Sequence, residues 1–166
     1  MPRGRGVPAG LTAQGIAQTA LELADEEGLA ALTVRGVARR LGVEPMSIYN
    51  HFANKEAMLD AVWDQILGTA VLAPDHPDPT WQGYLRQTAA GYREALLAHP
   101  NVLPIMLDRH ARTTQSLDLV QTVIAGLTAR SVPLMLAVDL INVISLLAIT
   151  HAITEHRSMG DTEPPP

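Results

Sequence analysis

The stretch from Thr33 to Lys55, TVRGVARRLGVEPMSIYNHFANK, constrains the fold of this chain more than any other segment. Thr33 can cap a helix that ends at Gly42, where a left-handed backbone conformation costs little only for glycine. Pro45 suits the first turn of a short second helix over about 44–51, because its missing N–H would have no partner there. Two short helices joined by a tight turn predict a helix-turn-helix, whose second helix enters the major groove of DNA.

Apolar residues recur at helical spacing on both sides of this motif. The sequence contains no alternating strand pattern and no internal repeat, so the predicted fold class is all-α. The proline-rich segment 74–80 is the clearest interior loop. The further helices are predicted over about 11–27, 55–72, 81–99, 110–130 and 133–157.

Charge is distributed unevenly along the chain. The formal net charge of −5 argues at first against a nucleic-acid partner. Between residues 33 and 55, however, four basic side chains oppose Glu44 alone, which leaves a local charge of +3. Positive charge is therefore concentrated where a phosphate backbone could use it. These four basic residues are Arg35, Arg39, Arg40 and Lys55.

Composition excludes several other classes of function. The chain has no cysteine, so disulfides, thiolate zinc sites and cysteine nucleophiles are ruled out. His110, His151, Asp108 and Asp139 could make an acid–base pair, but no nucleophile motif, metal-ligand spacing or phosphate-binding glycine loop accompanies them. We therefore expect no enzyme activity. The first ten residues lack the apolar region of a signal peptide, so we expect a cytoplasmic protein.

The apolar run from Val132 to Ile153 is long enough to raise the possibility of a membrane span. It contains Asp139 and Asn142, and a central Asp alone costs about 2.5–3.5 kcal/mol on insertion scales. The flanks also lack a basic cluster. We therefore expect no membrane partner. The run is predicted to form a helix with a small-residue face and a bulky face, one of them towards its own core and the other towards a partner subunit.

The segment LTVRGVARRLGVEPMSIYNHFANKEAMLDAV resembles the N-terminal domain of the TetR (tetracycline-repressor) family of transcriptional regulators. The similarity extends to ALELADEEGLAALTVR before it. WQGYLRQTAAGYREALLAHP resembles the start of the ligand domain in tetracycline repressors. The resemblance implies a homodimeric repressor that releases a palindromic, double-stranded operator when a small-molecule effector binds. It implies a three-helix DNA-binding domain over 1–52, a connecting helix over 53–73 and a helical ligand-binding and dimerisation domain over 74–166.

The resemblance also assigns residues to the DNA surface. Arg35 matches a base-contacting arginine, whereas residues 44–47 form the exposed first turn of the recognition helix, where the family varies its base reading. Pro45 stands where tetracycline repressors carry a glutamine, so a different operator sequence is expected. Tyr49 could alternatively pack against the first helix. The residues expected to contact DNA are Thr33, Arg35, Glu44, Pro45, Met46, Ser47, Tyr49, His51 and Lys55.

Positions that match the metal-binding or drug-binding residues of tetracycline repressors hold Val71, Thr88 and Met106, none of which supplies an imidazole. Neither magnesium nor tetracycline, nor any cofactor, is therefore expected. The predicted cavity is apolar with scattered polar groups, which favours a moderately apolar ligand. Its methionines could instead be core filler, and His110 and His151 ordinary hydrogen-bonded histidines. The predicted lining is Trp63, Thr88, Tyr92, Met106, His110, Met135 and Asn142.

Dimerisation is expected through the last two helices, over about 110–130 and 133–157. Family members commonly continue with a further helix beyond this point. Either the two helices build the interface alone or the sequence is a part of a longer protein. The sequence leaves open which of these holds, and also whether the regulator represses or activates.

Overall fold

A computed structural model of the protein describes residues 10–70, 77–106 and 112–160. Within these ranges all regular structure is helical, as the sequence predicts. Short 3₁₀ turns follow α1 and precede α6, at Leu29–Ala31 and Pro100–Val102. The helices are α1 (Ala13–Glu27), α2 (Val34–Leu41), α3 (Pro45–Tyr49), α4 (Lys55–Ala70), α5 (Trp81–Ala98), α6 (Leu103–Met106), α7 (Thr114–Thr128) and α8 (Leu134–Gly160).

The chain divides into two compact units, and the division falls inside α4. The first unit runs to Gln65 and contains the helix-turn-helix, whereas the second begins at Ile66. The predicted connecting helix over 53–73 therefore contributes residues to both units. Residues 71–76, which include Val71, lie outside the described residues.

Local caps define the helices of the first unit. The hydroxyl of Thr12 accepts a hydrogen bond from the Gly15 N–H at 3.0 Å at the start of α1. The hydroxyl of Thr33 accepts from the Gly36 N–H at 2.9 Å and starts α2 in the same way. Gly42 ends α2 with a φ of 67°, a left-handed conformation that favours glycine. These contacts set the turn between α2 and α3.

The short helix α3 is held by its inner side. Ile48 is fully buried, and Phe52, which follows α3, is also buried, so these two residues anchor the helix. Pro45 occupies the first turn, and Glu44 precedes it in extended conformation without a side-chain capping bond. Asn54 caps α4 by accepting from the Ala57 N–H at 2.8 Å. The recognition segment is therefore fixed at both ends.

The core of the second unit lies between α5, α7 and α8. The guanidinium of Arg130 stacks 4.3 Å from the ring centroid of Tyr84, and its Nε donates to the carbonyl oxygen of Asp78 at 2.7 Å. Gly126 lies against the Tyr84 ring, where a Cβ would overlap it. Buried residues of this core are Tyr84, Leu85, Val123, Leu127, Val132 and Ala137.

The predicted start of α7 is wrong. The helix is predicted to begin near residue 110, but it begins at Thr114, because Thr113 and Ser116 form a reciprocal capping box there. Leu127 is buried, whereas the Leu117 side chain is 45% exposed, since it lies in the first turn of α7.

Helix α8 has one packed face and one open face. The small residues Ala137, Ala148 and Ala152 are buried, so the small-residue face is the one towards the core. The opposite side is defined here as the outer α8 stripe. The stripe is exposed, although it consists mainly of large apolar side chains. Its members are Met135, Leu136, Val143, Leu146 and Leu147.

By length and composition alone, the segment Leu134–His156 could cross a membrane, with a mean hydropathy of 2.0. This is weak evidence for a span, because core helices of soluble proteins pass the same test. The segment carries Asp139 and Asn142 on exposed positions, whose transfer into hydrocarbon would be costly. The open face of α8 therefore favours contact with an apolar partner. It is not evidence for a lipid partner.

Candidate functional site

The residues predicted to contact DNA all lie in the first unit. Met46 is 68% exposed and Tyr49 is 44% exposed on α3, so neither side chain is consumed by internal packing. Arg35, in the first turn of α2, and Lys55, which opens α4, are also exposed. The motif therefore presents a set of outward side chains on a buried scaffold.

The tip of the recognition segment is poor in hydrogen-bond donors. The exposed carboxylate of Glu44 offers only hydrogen-bond acceptors, and Pro45 has no N–H. Ser47 is half-buried, and its N–H donates to the Glu44 carbonyl oxygen at 2.8 Å. Thr33 accepts the capping bond described above, which leaves its O–H able to donate. His51, at the other end of the segment, is exposed.

Two of the four basic side chains in the motif are engaged by α1. Arg40 donates to Glu26 at 2.6 Å, and this hydrogen bond, with the charge of Glu26, raises the pKa of Arg40 above its ordinary value. The guanidinium of Arg39 lies 3.8 Å from the carboxylate of Glu27. The local charge of +3 counted from the sequence therefore overstates the field available to DNA. Arg35 and Lys55 are the basic residues of the motif left to supply it.

Family models match both parts of the chain. The model for bacterial regulatory proteins of the tetR family matches residues 16–62. The model for the tetracyclin repressor-like C-terminal domain matches residues 73–165, more than half of the chain. The chain belongs to the TetR family. It is thus a member of a family of DNA-binding transcriptional regulators, and not of an enzyme family, as predicted.

Individual TetR-family proteins show the extent of the likeness. The class D tetracycline repressor of Escherichia coli is 30% identical over 95% of this chain and 77% of its own length. The class C repressor of the same organism is 39% identical, but over only 54% of this chain and 41% of the repressor. The chain thus spans only part of these relatives.

Solved structures share the fold over most of the chain. Apo ActR from Streptomyces coelicolor superposes with a TM-score of 0.80 at 28% identity, covering 90% of this chain and 71% of that chain. ActR has also been solved in complex with actinorhodin. BioQ, solved with its double-stranded DNA operator, gives a TM-score of 0.70 at 28% identity and covers 88% of both chains.

The described residues predicted to line an effector cavity lie on α4, α5, α6 and α8. Trp63 is buried in the first unit, whereas Thr88 and Tyr92 lie one turn apart on α5 in the second. Met135 and Asn142 are exposed on α8, on the open side of that helix. Met106 is the last residue of α6, and His110 falls outside the described residues.

The two predicted ligand residues on α5 have different surroundings. The Thr88 hydroxyl donates to the Tyr84 carbonyl oxygen at 3.0 Å, which is an internal helix contact. Tyr92 is only 6% exposed, and burial raises the pKa of its phenol above the usual value. Burial therefore favours the neutral form of this phenol.

A groove of about 670 Å³ runs between α5 and α8 in the second unit. Arg93 on α5 donates to Glu155 on α8 at 2.5 Å beside it, and His151 lies 3.6 Å from the same carboxylate. None of the predicted cavity residues whose side chains the structure describes lines this groove. Its lining is Ala89, Arg93, Ile144, Leu147, Ala148, Thr150, His151 and Thr154.

The groove had almost no sequence signal. Arg93 and Glu155 are 62 residues apart, so no local spacing could pair them. His151 was considered for a pocket or for an ordinary contact, and it now lies in the wall of the groove beside Glu155. In the parts of the chain that are described, no cluster of three or more His, Cys, Asp or Glu could hold a metal ion.

Proposed function

We propose that the protein is a cytoplasmic, homodimeric repressor that binds a palindromic operator and releases it when a small, moderately apolar molecule binds the second unit. Family membership supports the DNA-binding regulator itself. The observation that carries the proposal is the exposed face of α3, with Met46 and Tyr49 outward above the buried Ile48. Arg35 and Lys55 add unengaged positive charge to it.

The proposed dimer rests on the outer α8 stripe, with α7 beside it. Exposed apolar side chains grouped on one face of a helix are typical of an interaction site. One short recognition helix reads too few base pairs for useful specificity, and a second copy supplies the other half-site about one helical turn away. Met135 and Asn142, first expected in an effector cavity, are better assigned to this face because they are exposed there.

The other residues predicted to bind the effector are still assigned to the proposed effector site. Thr88 and Tyr92 on α5 would supply polar contacts, with Trp63, Met106 and His110 as the other candidates. Two relatives support a small-molecule effector, since ActR was solved with actinorhodin and a TetR variant from Acinetobacter baumannii with minocycline. No magnesium is assigned to the site, because the matching positions hold no imidazole.

Helix α4 is the proposed route by which the effector acts on DNA. Lys55 begins this helix, and residues 66–70 of the same helix belong to the second unit. A change at its far end would alter the separation of the two recognition helices in a dimer. The coupling needed is modest, typically 1–3 kcal/mol between the two binding events.

Selection from a pool of random duplexes by the full chain, followed by gel-shift titration at physiological salt, tests the function. The expected result is an enriched palindrome that Arg35→Ala binds at least tenfold more weakly, because a lost base contact costs about 1–3 kcal/mol. The matched control is Arg40→Ala, since Arg40 is engaged by Glu26. Failure to enrich any sequence would refute a sequence-specific regulator.

Effector release needs a separate measurement on the same operator complex. Candidate apolar small molecules are screened by the shift in thermal unfolding of the free protein, and those that stabilise it are added to the operator complex. A true effector lowers operator affinity, and Tyr92→Phe weakens its binding. A compound that stabilises the protein but leaves operator binding unchanged would contradict the coupling, while the DNA-binding function would stand.

A further inference from the structure

The first unit exposes few large apolar side chains, and they lie together. Among its described residues, Met46 and Tyr49 are the large hydrophobic side chains that remain open to solvent. They are three residues apart on α3, a spacing that makes side chains neighbours on a helix surface. The apolar patch of this unit therefore lies on the helix that is expected to enter the major groove.

The polar groups around this patch offer few contacts to base edges. Glu44 offers only acceptors, and Pro45 offers no donor at all. The Ser47 N–H is already bound to the Glu44 carbonyl oxygen, and its side chain is half-buried. Guanine presents two acceptors in the major groove, and among residues 44–47 the Ser47 hydroxyl is the one side-chain donor that could meet them. The one apolar group on the major-groove edge of the bases is the C5 methyl of thymine.

We propose that Met46 reads the C5 methyl group of a thymine in each operator half-site, and that this contact sets the base preference of the recognition tip. The inference rests on the proposed DNA-binding function and assigns the chemistry of its specificity. A methionine side chain suits the contact because its flexible, polarisable thioether adapts to an irregular apolar surface. Tyr49, beside it, extends the same apolar surface.

The test uses the selected operator with each thymine in turn, and then all together, replaced by deoxyuridine, a change that removes only the methyl group. At the thymine read by Met46, the replacement is expected to weaken binding about fourfold per half-site, the factor for one buried methyl-sized group. Replacing that thymine in both half-sites is expected to weaken binding roughly fifteenfold. The other thymines should show no comparable change.

Variants separate a direct contact from an effect of DNA shape. Met46→Ala should bind the thymine operator as weakly as the wild type binds the uracil operator, and should no longer distinguish the two duplexes. Met46→Leu keeps an apolar side chain and should keep the distinction. Tyr49→Phe keeps the ring, and should also retain it. None of these exposed substitutions removes a buried contact, so folding is not at issue.

Several outcomes would overturn the inference. Equal binding of thymine and uracil operators by the wild type would exclude methyl reading, although an enriched operator would still support the regulator. A full uracil penalty that persists in Met46→Ala would assign the effect to DNA shape or another side chain. A pool that yields no operator at all would refute both the inference and the proposed DNA-binding function on which it rests.

Discussion

The guanidinium of Arg40 donates a 2.6 Å hydrogen bond to the carboxylate of Glu26, which ties the end of α2 to the end of α1. Both side chains are substantially exposed, so the pair adds little stability. Its consequence is electrostatic, because a cation held by a carboxylate contributes less to the field that DNA meets. The motif therefore contains two kinds of basic residue, engaged and unengaged.

This difference predicts contrasting salt effects. Lys55→Ala should weaken binding to every duplex and reduce the slope of log K against log salt concentration by about one, since one phosphate contact is lost. Arg40→Ala should leave the slope nearly unchanged. Fluorescence anisotropy titrations between about 50 and 200 mM salt measure both slopes. Equal slope changes in the two variants would show that the Glu26 pair does not withhold Arg40 from DNA.

The outer α8 stripe predicts the oligomeric state. Leu146 is 60% exposed, so Leu146→Glu should leave the protomer folded while placing a charge in the proposed interface. We expect the dimer dissociation constant to rise at least about 100-fold, because an unpaired buried charge costs several kcal/mol. Sedimentation equilibrium gives the constant, and circular dichroism checks helix content. Gln82→Glu, an exposed change on α5 outside the proposed interface, is the control.

A dimer that survives Leu146→Glu unchanged would contradict the assignment of the stripe. Loss of operator binding should accompany loss of the dimer, since each protomer carries one reading helix. A monomeric variant that binds the full palindrome with wild-type affinity would show that operator binding does not require the dimer. Concentration-dependent gel shifts distinguish the cases.

Gly36 packs against the 3₁₀ turn before α2, and a Cβ there would overlap the carbonyl oxygen of Ala31. Gly36→Ala should lower the free energy of unfolding by about 1–3 kcal/mol, because backbone has to move. Gly68→Ala is matched, since it also lies in a helix, but its nearest neighbour is Gln115 Nε2 at 3.9 Å. It should gain up to about 1 kcal/mol from helix propensity. Urea unfolding measures both, and a stabilised Gly36→Ala would refute the close packing.

Burial of Tyr92 predicts a loss of stability in alkali. Its folded-state pKa is raised, whereas an unfolded tyrosine ionises near pH 10. Stability from this residue is therefore fully present below about pH 10 and is lost above it, by about 1.4 kcal/mol per pH unit, as the unfolded chain ionises. Tyr92→Phe should flatten the decline in urea-unfolding free energy between about pH 9 and 11. An identical decline in both proteins would contradict the burial.

Sequence reasoning was accurate where a helix end depends on neighbouring residues. Thr33 caps α2 as predicted, because its hydroxyl reaches an N–H three residues on, and Thr12 and Asn54 cap α1 and α4 in the same way. It failed at α7, where apolar spacing pointed to a start near residue 110. The capping box of Thr113 and Ser116 determines the start instead.

Charge counting failed for a different reason. Arg39 and Arg40 were taken as free cations because their carboxylate partners lie a helix earlier, beyond any local pattern. The predicted effector residues come from helices that are far apart in the sequence, so local spacing gives no information on which of them lie close together. Periodicity identifies the inward side of a helix but not the neighbour that each residue meets.

By itself, the sequence determined the all-helical class, the helix-turn-helix and the exposed recognition tip with Met46, because caps, turns and apolar spacing act over a few residues. Tertiary structure alone decided which cations are engaged, which side of α8 stays open, and that Arg93 meets Glu155 beside a groove. Those features depend on how segments far apart in the sequence pack together. The residues next to each side chain in the sequence do not identify the partner that it contacts.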